Sequence, residues 1–419
     1  MKDLEGKIKN ENIIYVTTDP ERSLGLEKVL PNFYIVCMDN SYILNFQKKY
    51  FSLKKDFPEI EIKRSSVKLL LNKNTQKYIN SIDKANFMFF KISKEIENVM
   101  NGKNILNTSS LLNKKYENKI EISKIFKDIV PQTIFINLEK DSYESIKNKI
   151  GDKFVIQFQR GQSGNSTFFI ENSDEYNKIK NIYPKRISKA SKKIEGIYYT
   201  INSVITKNGI LIGNLSKQIT GINVLTDFKG ASVGNEWITN LENKEKDKLI
   251  DKMNYIANIM KKDGYIGMFG ADFVFDGENF YLIEINAREN ASIPTFTKLQ
   301  IEREEIPFKL IHILEFLKKD YKIDYKKINE YIYDDYNFRQ IIIRNKKTDE
   351  IKIKNPLNGI YNNNLEKIGD GYDLTYLRKN NLLIITSQEK VGYNIEISRI
   401  QSKEKIDIDI IKKVISTIY

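Results

Sequence analysis

The chain has 419 residues, 41% of them hydrophobic and 29% charged, with a mass of 49.1 kDa and a mean hydropathy of −0.46; that is length for two or three domains and too much apolar sequence for general disorder. Lys and Arg number 68 against 55 Asp and Glu, a net charge of +13, but the two signs are interspersed, as in KKDYKIDYKK, which reads as a solvated surface rather than a nucleic-acid interface. One cysteine, Cys37, excludes an intrachain disulfide, and one histidine, His312, argues against a histidine-based triad or a His-rich metal site.

No run of about 18 apolar residues occurs, and the opening MKDLEGKIKNEN has no apolar core, so the expectation is a cytoplasmic protein with neither membrane span nor secretory signal. ENIIYVTTD and NFYIVCMDN are short β-branched and aromatic runs separated by helical sequence, so residues 1–115 are expected to form a βα-type domain. Cys37 falls within the second run and reads as a buried strand residue. From Tyr116, YENKIEISKIFKDI carries a helical apolar face that Pro131 stops.

Strands are expected at TIFIN, at KFVIQFQ and at FFIEN, the last two separated by the Gly/Ser-rich loop RGQSGNST at 160–167. IEGIYYTINSVITKNGILIGNLSKQITG alternates about an Asn208-Gly209 turn and predicts an antiparallel hairpin. A helix is expected around 241–262, then a second hairpin, YIGMFGADFVFDGENFYLIEIN, turning at Asp276-Gly277. His312, in LIHILEFL, reads as a helix-packing residue. Beyond about 320, strand-like runs at RQIIIRN, DEIKIKN and NLLIITS and a final helix near IDIIKKVISTI predict a small C-terminal α+β unit over 326–419.

The second hairpin is the most informative segment. Period-two geometry puts Glu284 and Asn286 on one face of a strand, and a short turn after Asp276 sets Asp272 across from Glu284. Two carboxylates and an amide oxygen make a hard, all-oxygen donor set suited to Mg²⁺ with nucleotide phosphates completing its shell. Arg288, two residues on, points the same way if the strand continues, and its guanidinium suits a carboxylate or developing oxyanion. The loop at 160–167 offers backbone N–H groups to phosphate without Cβ interference, though it lacks the GxxxxGK[ST] pattern and returns to a strand instead of opening a helix.

The succession of a Lys119-bearing helix, strand–glycine loop–strand, hairpin and acid cluster ending EINAR resembles the ATP-grasp superfamily of carboxylate ligases. FVIQFQRGQSGNSTFFI resembles its phosphate loop, GADFVFDGENFYLIEINAREN its magnesium and phosphate site, and KASKKIEGIYYTINSVI the stretch lining its adenine pocket. The resemblance implies an α/β and α+β protein: a pre-ATP-grasp domain over 1–115, an ATP-grasp domain of two subdomains over 116–325, and the C-terminal unit. It implies Asp272, Glu284 and Asn286 as metal ligands and Arg288 as the residue steadying the reacting carboxyl group. For nucleotide contact it implies Lys119, Gln157, Ser163, Gly164, Asn165, Lys189 and Glu195.

Gln157 departs from the pattern, since lysine is usual there; Lys153, Arg160 or Lys189 then substitutes, or loop amides take over. The family's ribose-binding acid would fall at Tyr198, with Glu195 nearby. The cofactors implied are ATP and Mg²⁺, with Mn²⁺ as a substitute. The implied reaction activates a carboxylate as an acyl phosphate and joins it to an amine, with release of ADP and phosphate. The pre-grasp domain, NTSSLLNKKYENK and GASVGNEW resemble the subgroup that joins amino acids to peptides, amines or carrier proteins. Gln218, Asn235 and Glu236 are the candidate substrate contacts, and Trp237 is expected to pack beneath them. The alternatives are another acceptor, such as a carrier-protein thiol, a kinase or carboxylase on the same fold, and a non-catalytic nucleotide- or nucleic-acid-binding protein.

Overall fold

The computed structural model describes residues 1–159, 161 and 166–419. Its first layer is a parallel sheet in the order Tyr50–Ser52, Phe33–Cys37, Asn12–Thr17, Ala85–Phe89 and Asn104–Ile105. The central strands are continuous apolar runs because helices and turns cover both of their faces. One face packs Ile14, Val16, Val36, Phe87 and Phe89 together. The other joins Ile13, Tyr15, Ile35 and Met88 to a core shared with helices Ile293–Glu302 and Phe308–Phe316. Cys37 is buried in its strand, and burial pushes its thiol up. His312 is likewise a packing residue: Nδ1 accepts from the Met268 amide at 3.0 Å and Nε2 lies 2.8 Å from the Leu106 carbonyl.

A four-stranded antiparallel sheet follows, ordered Thr133–Asn137, Ile187–Lys192, Phe154–Phe158 and Thr167–Ile170. Helices Tyr143–Ile150 and Ser173–Ile182 close its apolar face through Ile146, Ile150 and Tyr176. The third sheet has ten strands and begins Phe280–Asn286, Gly267–Phe275, Ile197–Ile205, Ile210–Thr220 and Ser232–Glu236. Helix Asn243–Lys262 lies on it and buries Leu249, Met253, Ile256, Ala257 and Met260, the spacing of one helical face.

Both expected hairpins form. At the second, the Asp276 carboxylate accepts from the amides of Glu278 and Asn279 at 2.9 and 2.7 Å, which closes the turn as an Asx motif. The expected helix from Tyr116 is two helices, Ser110–Tyr116 and Lys119–Ile125. The break arises because the Asn118 side chain accepts from the amides of Ile120 and Glu121, starting a new helix at Lys119. DEIKIKN is not a strand: only Ile351 forms a bridge, with Val391. The C-terminal strands Arg339–Arg344, Glu396–Ser402, Asn381–Thr386, Asn358–Asn362 and Lys367–Gly369 extend the ten-stranded sheet, joined to it where Gly234, Asn235 and Glu236 pair with Ile341, Gln340 and Arg339. Helix Ile408–Ile418 covers this part through Ile411, Val414 and Ile418.

Candidate active site

The three sheets surround a cleft of about 1070 Å³. Its floor is the second hairpin. Asp272 pairs directly with Glu284, and Gly270 with Asn286, so the three polar side chains share one sheet face. Asn286 Nδ2 lies 3.4 Å from Asp272 and 3.5 Å from Glu284. Glycine is needed at 270 because a Cβ there would come within 2.5 Å of the Asn290 amide. Burial and the neighbouring Glu284 carboxylate push Asp272 up. Burial acts in the same direction on Glu284, but Lys119, whose ammonium contacts it directly, outweighs that and holds it low.

Arg288 is fixed from several sides. Its Nε is 2.7 Å from Glu117, its Nη2 donates to Asn286 Oδ1 at 3.1 Å, and its guanidinium lies over the Phe90 ring at 4.9 Å. Glu117 also holds Lys91 at 2.5 Å. Lys119 is the first residue of its helix, and its own amide donates to the Gln159 carbonyl at 3.1 Å.

On the opposite wall Gln157 and Lys189 are direct cross-strand partners. Gln157 donates to Thr167 Oγ1 at 3.1 Å, and Lys189 Nζ to Ser123 Oγ at 3.1 Å. The lysine missing at 157 is therefore matched by one on the adjoining strand, on the same face. Burial, reinforced by Lys119, brings the Lys189 ammonium down to about 7.

Gln218 and Asn235 line the cleft. Gln218 donates to Thr200 Oγ1 at 2.6 Å, and Thr200 donates to Asp272 at 2.7 Å. Asn235 donates to Ser216 at 3.0 Å and accepts from Gln340 at 3.1 Å. Two expectations are corrected. Glu195 lies outside the cleft lining, 76% exposed and 2.7 Å from Lys193, because the Lys193–Gly196 connector turns it to solvent. Glu236 also lies outside the lining; the strand's alternation turns it the opposite way from Asn235, toward Arg339 at 3.5 Å. Trp237 is buried against Phe338, with ring centroids 5.9 Å apart. Ser163, Gly164 and Asn165 lie outside the described residues. Thr200, Glu117 and Phe90 were not singled out from sequence; a threonine in a strand facing Asp272 was the one available signal, and the other two needed the fold.

Residues 116–292 match the family model described as "ATP-grasp domain". This stretch is an ATP-grasp domain. Around it the whole chain has the same fold as solved ATP-grasp proteins. N5-carboxyaminoimidazole synthetase from Staphylococcus aureus, complexed with ADP, superposes with a TM-score of 0.57 at 13% identity, covering 96% of this chain and 95% of that one. Phosphoribosylamine–glycine ligase from Thermotoga maritima gives 0.61 at 10% identity, covering 97% and 95%. The biotin carboxylase domain of Hydrogenobacter thermophilus 2-oxoglutarate carboxylase, with MgADP and bicarbonate, gives 0.61 at 12% identity, covering 97% and 89%. The large chain of carbamoyl phosphate synthase from Clostridium acetobutylicum is 23% identical over 243 residues, 55% of this chain. This chain covers 22% of that relative's length.

Proposed function

We propose that the protein is an ATP-dependent ligase that activates a carboxylate as an acyl phosphate and joins it to an amine, forming an amide and releasing ADP and phosphate. The observation that carries this reading is the convergence of Asp272, Glu284 and Asn286 beside an arginine, Arg288, locked in place by Glu117 and Phe90. No side-chain nucleophile is needed for such a reaction, which suits a chain with one buried cysteine and one buried histidine.

The donor set fits a divalent cation. Among the described residues no three His, Cys, Asp or Glu come together. Two half-buried carboxylates and an amide do, and burial together with the Glu284 carboxylate pushes the Asp272 carboxyl up. Asp272, Glu284 and, once its amide turns over from Arg288, the Asn286 amide oxygen would hold Mg²⁺, or Mn²⁺ in its place, leaving positions for phosphate oxygens. The ion would supply charge neutralisation at the transferring phosphoryl group.

The remaining roles belong to the side chains. Lys119 and Lys189 would face the nucleotide phosphates, and Gln157 would donate an amide hydrogen bond beside them. Val155, Ile194, Val274 and Ile283, which line one part of the cleft, provide an apolar slot for the purine. The loop containing Ser163, Gly164 and Asn165 is assigned to phosphate contact by its composition. Arg288 would hold the substrate carboxylate and then stabilise the oxyanion formed when the amine attacks. Water exclusion matters because hydrolysis of the acyl phosphate competes with amide formation.

In this reading 116–325 is the nucleotide-handling part, while 1–115 and 326–419 frame the second substrate. The experiment is ADP release with Mg²⁺ across carboxylates and amines offered singly and in pairs, with hydroxylamine as a trap. ADP release matched by hydroxamate supports the acyl phosphate. Phosphorylation of an alcohol, or a stable carboxylated product, would favour a kinase or carboxylase instead.

A further inference from the structure

A group of buried charges lies directly behind Arg288 and takes no part in the steps above. Glu289, the next residue, is buried and does not line the cleft. Its Oε2 accepts from the Tyr15 hydroxyl at 2.6 Å and lies 3.6 Å from the Lys309 ammonium. Lys309 is fully buried and sits over the Tyr15 ring at 4.3 Å. Its ammonium also donates to the carbonyls of Ser23 and Leu24, at 3.1 and 3.4 Å. One ion pair thus joins the segment that follows strand Phe280–Asn286 to strand Asn12–Thr17, to the turn Pro20–Ser23 and to helix Phe308–Phe316.

Stability does not explain this choice of residues. Burial pushes the Glu289 carboxyl up and the Lys309 ammonium down, each partly opposed by the charge of the other. Glu289 Oε1 has no hydrogen-bond partner among the described residues. Apolar side chains of similar volume would fill the space without desolvating two charges, and such replacements are often neutral or stabilising. What the ion pair supplies is direction. Arg288 Nη1 donates to the Glu289 carbonyl at 2.8 Å, so the backbone that the cluster fixes also holds the guanidinium. The other Nη contact of Arg288 is Asn286 Oδ1, the oxygen proposed to turn to the metal ion. Once it turns, Glu117 and the Glu289 carbonyl are the polar contacts left to the guanidinium among the described residues. The following residue is pinned as well, since Asn290 donates to Asn202 Oδ1 at 2.6 Å on strand Ile197–Ile205. The turn that Lys309 holds carries Arg22, whose guanidinium lies over the Phe90 ring at 4.8 Å, the ring that also carries Arg288.

We infer that Glu289 is the positioning residue that sets Arg288 in the cleft, held in turn by Tyr15 and Lys309, so that the N-terminal sheet supports the reaction centre from behind. The inference rests on the ligase reading, in which Arg288 holds the substrate carboxylate and then the oxyanion. Glu289 touches no reacting group and acts through the guanidinium. Loss of the cluster therefore slows the chemical step, whereas nucleotide binding, on the wall that carries Gln157 and Lys189, is left as it was.

The test removes both charges together in the full chain, Glu289→Met with Lys309→Met, and follows urea unfolding and ADP release with the carboxylate and amine most active in the panel above. The variant is expected to unfold at or above the wild-type urea midpoint, yet its kcat should fall about ten- to a hundredfold while the KM for MgATP stays within about twofold. With Arg288→Lys already in place, the same replacement should change kcat by less than about twofold, because its effect runs through that guanidinium. A second readout needs no turnover. In protein saturated with MgADP, the two Nη nitrogens of Arg288, identified by their loss in Arg288→Lys, should give separate NMR signals in the wild type and one averaged signal in the double variant. Tyr15→Phe keeps the ring and the ion pair and removes one hydrogen bond; it should lower kcat about three- to tenfold, and it carries the same comparison if the double variant does not fold. A folded variant with wild-type kcat and separate signals would overturn the positioning role and leave the ligase reading standing. Averaged signals in the variant, alongside a wild type that shows no carboxylate-dependent ADP release, would sustain the positioning role and overturn the ligase reading.

Discussion

Replacing Lys189 with methionine should stabilise the nucleotide-free protein while weakening ATP binding, a pair of opposite effects that follows from one buried ammonium. Lys189 is 1% exposed, and the only hydrogen bond of its ammonium among the described residues is to Ser123 Oγ at 3.1 Å. Its pKa of about 7, against an ordinary 10.5, corresponds to roughly 5 kcal/mol at 1.36 kcal/mol per unit for keeping it charged in the fold. Loss of the Ser123 bond, about 1 kcal/mol, and relaxation of the site bring the expected gain at pH 6 to about 2–3 kcal/mol. The gain is pH-dependent with a definite sign. Between about pH 7 and 10.5 the unfolded chain binds the lysine proton and the fold does not, so wild-type stability rises with pH across that window. The advantage of Lys189→Met should therefore shrink to about 1 kcal/mol or less by pH 9.5. Urea unfolding at both pH values, paired with MgATP calorimetry, reads both effects. A variant that is less stable at pH 6, or one that binds MgATP as well as wild type, would refute the reasoning.

Four further outcomes are expected. Burial holds the His312 pKa at about 4 against 6.5, so the fold loses about 3 kcal/mol as pH falls through that interval; urea titrations of wild type and His312→Gln should differ there and converge above pH 7. Glu117→Gln removes the charge that aims Arg288 and should lower turnover by about 10²-fold with little change in nucleotide affinity, as measured by steady-state ADP release. Thr200→Val cuts the Gln218–Thr200–Asp272 relay and should cost about 1–3 kcal/mol in chemical unfolding. Met253→Ala empties the buried face of helix Asn243–Lys262 and should cost about 2–5 kcal/mol in the same assay.

The hairpin carrying Asp272 and Glu284 was legible because a period-two pattern and an Asp-Gly turn are local, and their register follows from counting residues. Lys119 was legible as a residue but not as the start of a helix, because the break depends on the Asn118 side chain competing for its own following amides. The partner of Gln157 could not be chosen from sequence. Lys153, Arg160 and Lys189 were equal candidates until the strand order set Lys189 directly opposite. Glu195 and Glu236 were nominated by type and proximity along the chain, whereas the direction of a connector and the parity of a strand decided against them. Arg22 and Arg344 stand at opposite ends of the sequence, and only sheet topology brings both to the lining of one cleft. The C-terminal strands read correctly as strands in RQIIIRN and NLLIITS, but their pairing onto the edge Ser232–Glu236 is non-local and left no mark in either segment.

Asp272, Glu284 and Asn286 are proposed to hold the divalent ion that ATP-dependent ligation requires. The most direct test is Mg²⁺-dependent ADP release by wild type and Glu284→Gln, with calorimetry of nucleotide binding in parallel. The substitution keeps the shape of a side chain 32% exposed and removes its charge. The expected result is a folded variant that has lost Mg²⁺-dependent ADP release, while the wild type releases ADP only when a carboxylate is supplied. A Glu284→Gln protein that turns ATP over at the wild-type rate and with the wild-type Mg²⁺ dependence would contradict it.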